Sequence, residues 1–136
     1  MLDRIKHNLL KYTLFADGII SVTAGVAFLG LSGLIAELIG PAFTESMIMA
    51  LGAFLFLWGL FHFALSRPSQ APTSGVRIAI AGDALWVLGS MAVLVLGWNS
   101  LTALGAAFIA VMSVAVVDIM LLKMKGLGDQ RRVAVA

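Results

Sequence analysis

The sequence predicts an all-α, polytopic membrane protein: four transmembrane helices forming two antiparallel hairpins in a four-helix bundle, preceded by a short amphipathic N-terminal helix. Three observations lead there. The 136 residues are 61% hydrophobic and only 12% charged, leaving a soluble domain of this size too little polar surface to cover itself. The mean hydropathy is +1.05, as expected where lipid is the main solvent. Finally, four apolar runs at residues 14–38, 46–65, 76–97 and 101–122 each approach or exceed the roughly 20 residues that cross hydrocarbon as a helix. Backbone groups in lipid must pair within the segment, and the runs lack the alternation of a β-barrel, so they are helices.

Taken in order, residues 1–13 place Leu2, Ile5 and Leu9 on one helical side, with Arg4, Lys6 and Lys11 mostly elsewhere. That pattern fits an interfacial helix feeding the first span. The run from Leu14 to Leu38 is too long for the apolar region of a secretory signal and is read as the first span. Gly40-Pro41-Ala42-Phe43-Thr44 breaks the first helix pair and Gly97-Trp98-Asn99-Ser100 the second, with Ser100 the expected N-cap. Both turns are short, so each pair is a hairpin. Between the hairpins, residues 66–75 form a polar loop containing Pro68 and Pro72, with Ser74 the expected cap of the third span. One transmembrane domain, 1–136, ends in a tail at 123–136.

Orientation follows from the bases. Arg4, Lys6, Lys11, Arg67, Arg77, Lys123, Lys125, Arg131 and Arg132 account for all nine Lys and Arg residues, and under four spans they fall on one face. Positively charged short segments stay cytoplasmic, which puts both termini and the 66–75 loop inside, with Trp98 at the outer interface. Short loops and this charge bias point to a bacterial plasma (inner) membrane.

The absence of cysteine excludes disulfides, thiolate catalysis, thiolate metal sites and covalent c-type haem. The sequence pI is about 9.4, yet the net charge is only +2, and the bases lie beside apolar runs. This marks membrane orientation, and no nucleic-acid partner is expected. No phosphate loop, nucleophile elbow or zinc-protease motif is present; the extramembrane segments are too short for a catalytic domain, so no enzyme and no catalytic residue is expected.

The residues most able to carry function are ionisable groups inside the spans: Asp17, His62, Asp83 and Asp118, one per helix. Lys11 to Asp17 and Arg77 to Asp83 are separated by about 9 Å of helix rise, and His62 to Arg67 and Asp118 to Lys123 by about 7.5 Å, which predicts one common depth. Charge in lipid costs about 2.5–3.5 kcal/mol per residue on the insertion scale, so these side chains are expected to face inward and find partners. Partners would be one another, Ser21 or Ser90, or the bases Arg67, Arg77 and Lys123, with Arg77 the first choice. Such a layer would lock the helices in register and, if functional, bind a proton or cation.

No metal or other cofactor is assigned. The Glu-x-x-His pairs of dimetal bundles are absent, and His62 is the only histidine within a span, which is too few for bis-histidine haem. Phe15-Ala16-Asp17-Gly18 and Ala81-Gly82-Asp83-Ala84 would fit a parallel internal repeat, although the match is too short to establish duplication. Small residues four apart, Ser21-Gly25, Ala103-Ala107 and Ala106-Ala110, suit close helix packing. The expected function is that of an accessory, assembly or interaction subunit, partnered by the lipid bilayer and by other membrane subunits or copies of itself. The alternative is a small proton- or cation-coupled transporter or channel using the Asp/His layer.

Overall fold

The computed structural model describes residues 8–135, and over these the chain is helical. The elements are α1 (Leu9–Gly30), α2 (Ser32–Ile39), α3 (Glu45–Ser66), α4 (Thr73–Leu96), a 3₁₀ turn (Trp98–Ser100) and α5 (Ala103–Val135). Four helices, α1, α3, α4 and α5, are long and apolar enough to cross a membrane. Most of the N-terminal segment 1–13 lies outside the described residues; from Leu9 onward it continues directly into α1.

The first predicted span is therefore two helices. They are separated at Leu31, whose N–H still bonds the Ala27 carbonyl at 2.9 Å. Just beyond, the Ser32 hydroxyl donates to Glu45 Oε1 at 3.1 Å, tying α2 to the start of α3. Thr44 caps α3 by accepting from the Met47 N–H at 3.3 Å. The cap of α5 is Thr102, not Ser100: its hydroxyl oxygen accepts from the Gly105 N–H at 2.9 Å, while Ser100 closes the 3₁₀ turn. Ser74 makes no capping bond, because α4 already begins at Thr73 behind Pro72.

The two hairpin turns meet at one end of the bundle. The Thr102 N–H donates to the Ile39 carbonyl at 2.8 Å, and its hydroxyl donates to the Leu38 carbonyl. Gly40, between them, has φ +148°, and a Cβ there would strike the Ser100 carbonyl oxygen, so only glycine fits the turn. At the other end, Gln130 of α5 clamps the 67–72 loop through both backbone groups of Ala71, accepting from its N–H at 3.2 Å and donating to its carbonyl at 2.9 Å.

The segment 123–136, expected as a tail, is helical through Val135. Its polarity reads as a solvated tail, but Lys123, Leu127 and Gln130 recur at helical spacing and dock inward. Lys123 and Leu127 are buried, and Gly126 lets α5 approach Leu10 so closely that a Cβ would lie 2.8 Å from the Leu10 Cβ.

Packing is uneven. Helix α1 lies most extensively on α3 and also contacts α5; α4 lies on α5, whereas α3 and α4 barely touch. Glycine makes the α1–α3 contact intimate. A Cβ on Gly25 would stand 2.6 Å from the Phe56 nitrogen, and one on Gly59 would stand 2.7 Å from the Val22 nitrogen. The Ser21-Gly25 pair thus packs helices as expected, with both residues buried, whereas Ala103, Ala107 and Ala110 are exposed and only Ala106 of the α5 set is buried. Two apolar cores result. One, around Leu10, Leu14, Leu65, Val76 and Leu127, fills the end where α1 begins and α5 ends. The other, around Phe28, Ala36, Ile39, Ile48 and Leu55, fills the turn end.

Candidate functional site: a buried ammonium between two carboxylates and an imidazole

Between the two apolar cores lies a polar layer supplied by all four long helices: Asp17 from α1, His62 from α3, Asp83 from α4 and Lys123 from α5. All four are buried, with His62 and Lys123 at 0% exposure. The ammonium of Lys123 is the hub. It donates to Oδ2 of Asp17, to Oδ2 of Asp83 at 2.6 Å, and stands 2.8 Å from Nε2 of His62. A lysine has three N–H donors and no acceptor; here three acceptors surround it.

Supporting contacts fix the other members. The Ser21 hydroxyl, one turn after Asp17, donates to its Oδ1 at 3.2 Å. His62 directs Nδ1 at the Trp58 carbonyl, 2.8 Å away, and its Nε2 is also 3.0 Å from Oδ2 of Asp17. The rings of Trp58 and Phe61 meet the imidazole edge-on, with centroids 5.1 Å and 5.7 Å away. Trp58 reaches its place because residue 82, beside Asp83, is glycine: a Cβ on Gly82 would collide with the indole. Among the described residues no buried side-chain nitrogen or oxygen lacks a hydrogen-bond partner, so the layer is fully satisfied, as a polar group in an apolar interior requires.

The expected convergence thus holds for Asp17, His62 and Asp83 and fails for Asp118. Asp118 is exposed on the outer surface of α5. The reason is helical geometry: it precedes Lys123 by five residues, about 140° around the helix, so only one of the two can face inward. Taking Lys123 as an interfacial marker of depth put Asp118 in the layer, when Lys123 itself is the member supplied by α5. Arg67 and Arg77, also expected as partners, are exposed and make no ion pair among the described residues. Their loop and the first turns of α4 turn them away from the layer. Ser21 is engaged and Ser90 is not. Trp58 and Gly82 were not singled out from the sequence, where an aromatic one turn before a histidine and a glycine beside an aspartate are ordinary in so apolar a chain.

Asp17, His62 and Asp83 each present a ligand atom within 4.8 Å of one another, a spacing that suits a small cation. In this arrangement the Lys123 ammonium supplies the positive charge at that place. Chemically the layer can bind, exchange or relay a proton, and through Lys123 it joins α3 to α5 and, by way of Asp83, to α4, two helices that α3 otherwise barely touches. Compared with known proteins, the chain matches no family model, no curated protein and no solved structure.

Proposed function

We propose that this chain is a membrane-embedded interaction subunit, an accessory or assembly component that docks the outer face of α5 against another membrane helix. We place it in a bacterial inner membrane with both termini and the 67–72 loop on the cytoplasmic side. The observation that supports this reading is Asp118. It is exposed on α5, about 7.5 Å from Lys123 along the helix toward the turn end. Since α3 runs parallel to α5 and His62 is level with Lys123, Asp118 is level with about Leu57, near the middle of α3.

Around it the same stripe carries Leu104, Val111, Val114 and Leu121, all exposed. A carboxyl facing lipid at that depth costs about 2.5–3.5 kcal/mol on the insertion scale. A neighbouring helix that offers a hydrogen-bond donor there removes the cost, and the exposed Ala107 and Ala110 allow it to come close. The test is complex size in a mild detergent or native nanodisc. The wild type should run as a complex larger than one chain, and Asp118→Leu should release the single chain. A wild type that is already a single chain, or a complex indifferent to Asp118→Leu, would overturn the proposal.

A second reading, a small proton- or cation-coupled transporter, is favoured by the buried layer of Asp17, His62, Asp83 and Lys123, since intramembrane ionisable clusters mark proton and ion pathways. Its test is proton flux into liposomes holding the purified chain alone, which Asp83→Asn should abolish. Wild-type flux no greater than that of empty liposomes would rule it out.

A further inference from the structure

We infer that Nε2 of His62 is a proton-binding site whose occupancy decides whether His62 holds Lys123 or Asp17. The Trp58 carbonyl can only accept, so the 2.8 Å contact to Nδ1 places a hydrogen on Nδ1. Nε2 then faces two groups of opposite demand. Lys123 Nζ at 2.8 Å can only donate, and Asp17 Oδ2 at 3.0 Å can only accept. With Lys123 as an ammonium, no single protonation state of the ring serves both contacts.

With a neutral ring, the Nε2 lone pair accepts from Lys123, whose three N–H groups are then fully used by Asp17, Asp83 and His62; nothing on Nε2 is left for Asp17. The four groups then carry two negative charges and one positive, a net −1. When a proton from water binds Nε2, a new N–H bond forms there and donates to Asp17 Oδ2. The imidazolium now faces the ammonium, the Lys123–His62 hydrogen bond breaks, and Lys123 is left on the two carboxylates. The net charge of the layer changes from −1 to zero.

Among the described residues, the groups facing His62 are Asp17 from α1 and Lys123 from α5, with Asp83 from α4 presenting a carboxylate oxygen within 4.8 Å; its own helix adds the Trp58 carbonyl and the aromatic rings of Trp58 and Phe61. One proton therefore exchanges a tie between α3 and α5 for a tie between α3 and α1. Since α3 and α5 share no extensive packing, losing that tie loosens a real connection in the bundle. This site is independent of Asp118, so the two proposals can fail separately.

The experiment is ¹⁵N NMR of labelled histidine in the full chain in bilayers. A His7→Gln background leaves one of the two histidines. Nδ1 should remain protonated throughout, while Nε2 changes from a lone-pair acceptor to a protonated nitrogen as the sample is acidified. Lys123→Met removes the repelling ammonium and should raise the protonated fraction of Nε2 at a given pH. Asp83→Asn removes an attracting carboxylate and should lower that fraction. If Lys123→Met does not fold, the direction of the Asp83→Asn change decides. An Nε2 that keeps one form throughout, or a protonated fraction that neither variant changes, would overturn the inference.

Discussion

Lys123 Nζ and Asp83 Oδ2 lie 2.6 Å apart, joining the fourth long helix to the third inside the apolar body of the bundle. Both side chains are almost wholly removed from solvent, so deleting Lys123 leaves the Asp83 carboxylate buried without its ammonium. Breaking a buried pair from one side costs about 3–5 kcal/mol, whereas replacing both charges by apolar groups of similar shape is often neutral. Lys123→Met should therefore lower unfolding stability in detergent by an amount of that order, and adding the apolar replacements Asp17→Leu and Asp83→Leu to it should restore most of the loss. A Lys123→Met protein as stable as the wild type would show that the ammonium does not sit between the carboxylates.

The glycines of α1 and α3 make a second expectation. Gly25→Val should destabilise the bundle by roughly 1–3 kcal/mol, the usual cost of overpacking, because its Cβ would meet backbone of α3 at 2.6 Å. Gly89→Ala should be neutral or stabilising, since nothing lies within 4 Å of a Cβ there and alanine favours a helix. Thermal unfolding of the two variants side by side checks this; equal behaviour would contradict the α1–α3 contact.

Thr102 joins the two turns, so Thr102→Val should cost about 0.5–2 kcal/mol, the typical loss of an N-cap. It also removes the hydroxyl's bond to the Leu38 carbonyl. Amide exchange should accelerate at Gly105 in the first turn of α5. Unchanged exchange there would place the cap elsewhere.

How far all this was legible in the sequence depended on what each residue's neighbours could reveal. Hydropathy and turn chemistry marked the four spans, because lipid imposes length and internal hydrogen bonding on any helix crossing it. Asp17, His62 and Asp83 could be placed at one depth because each has a flanking base lying outside the layer. The same ruler misled at Asp118, where the flanking base is Lys123. Choosing between them required the contact face of α5, and that is set by Gly126, Leu127 and Gln130 meeting α1 and the 67–72 loop. The continuation of α5 to Val135 was hidden for the same reason: it rests on those tertiary contacts, while the local composition there is that of a solvated tail.

The absence of cysteine makes topology directly measurable with single thiols. Ser69→Cys should react with a membrane-impermeant reagent only from the side of the termini, and Asn99→Cys only from the opposite side. Reaction of both from one side would break the four-span arrangement.

The most direct test of the central claim, a lysine ammonium held between carboxylates of two other helices, is solid-state NMR of the chain in lipid bilayers with ¹⁵N on lysine and ¹³C on aspartate side chains. The account predicts through-space correlations from Lys123 Nζ to the carboxyl carbons of both Asp17 and Asp83, absent in Lys123→Met. Correlations of Lys123 Nζ with lipid phosphate and bulk water, and with neither aspartate, would contradict it.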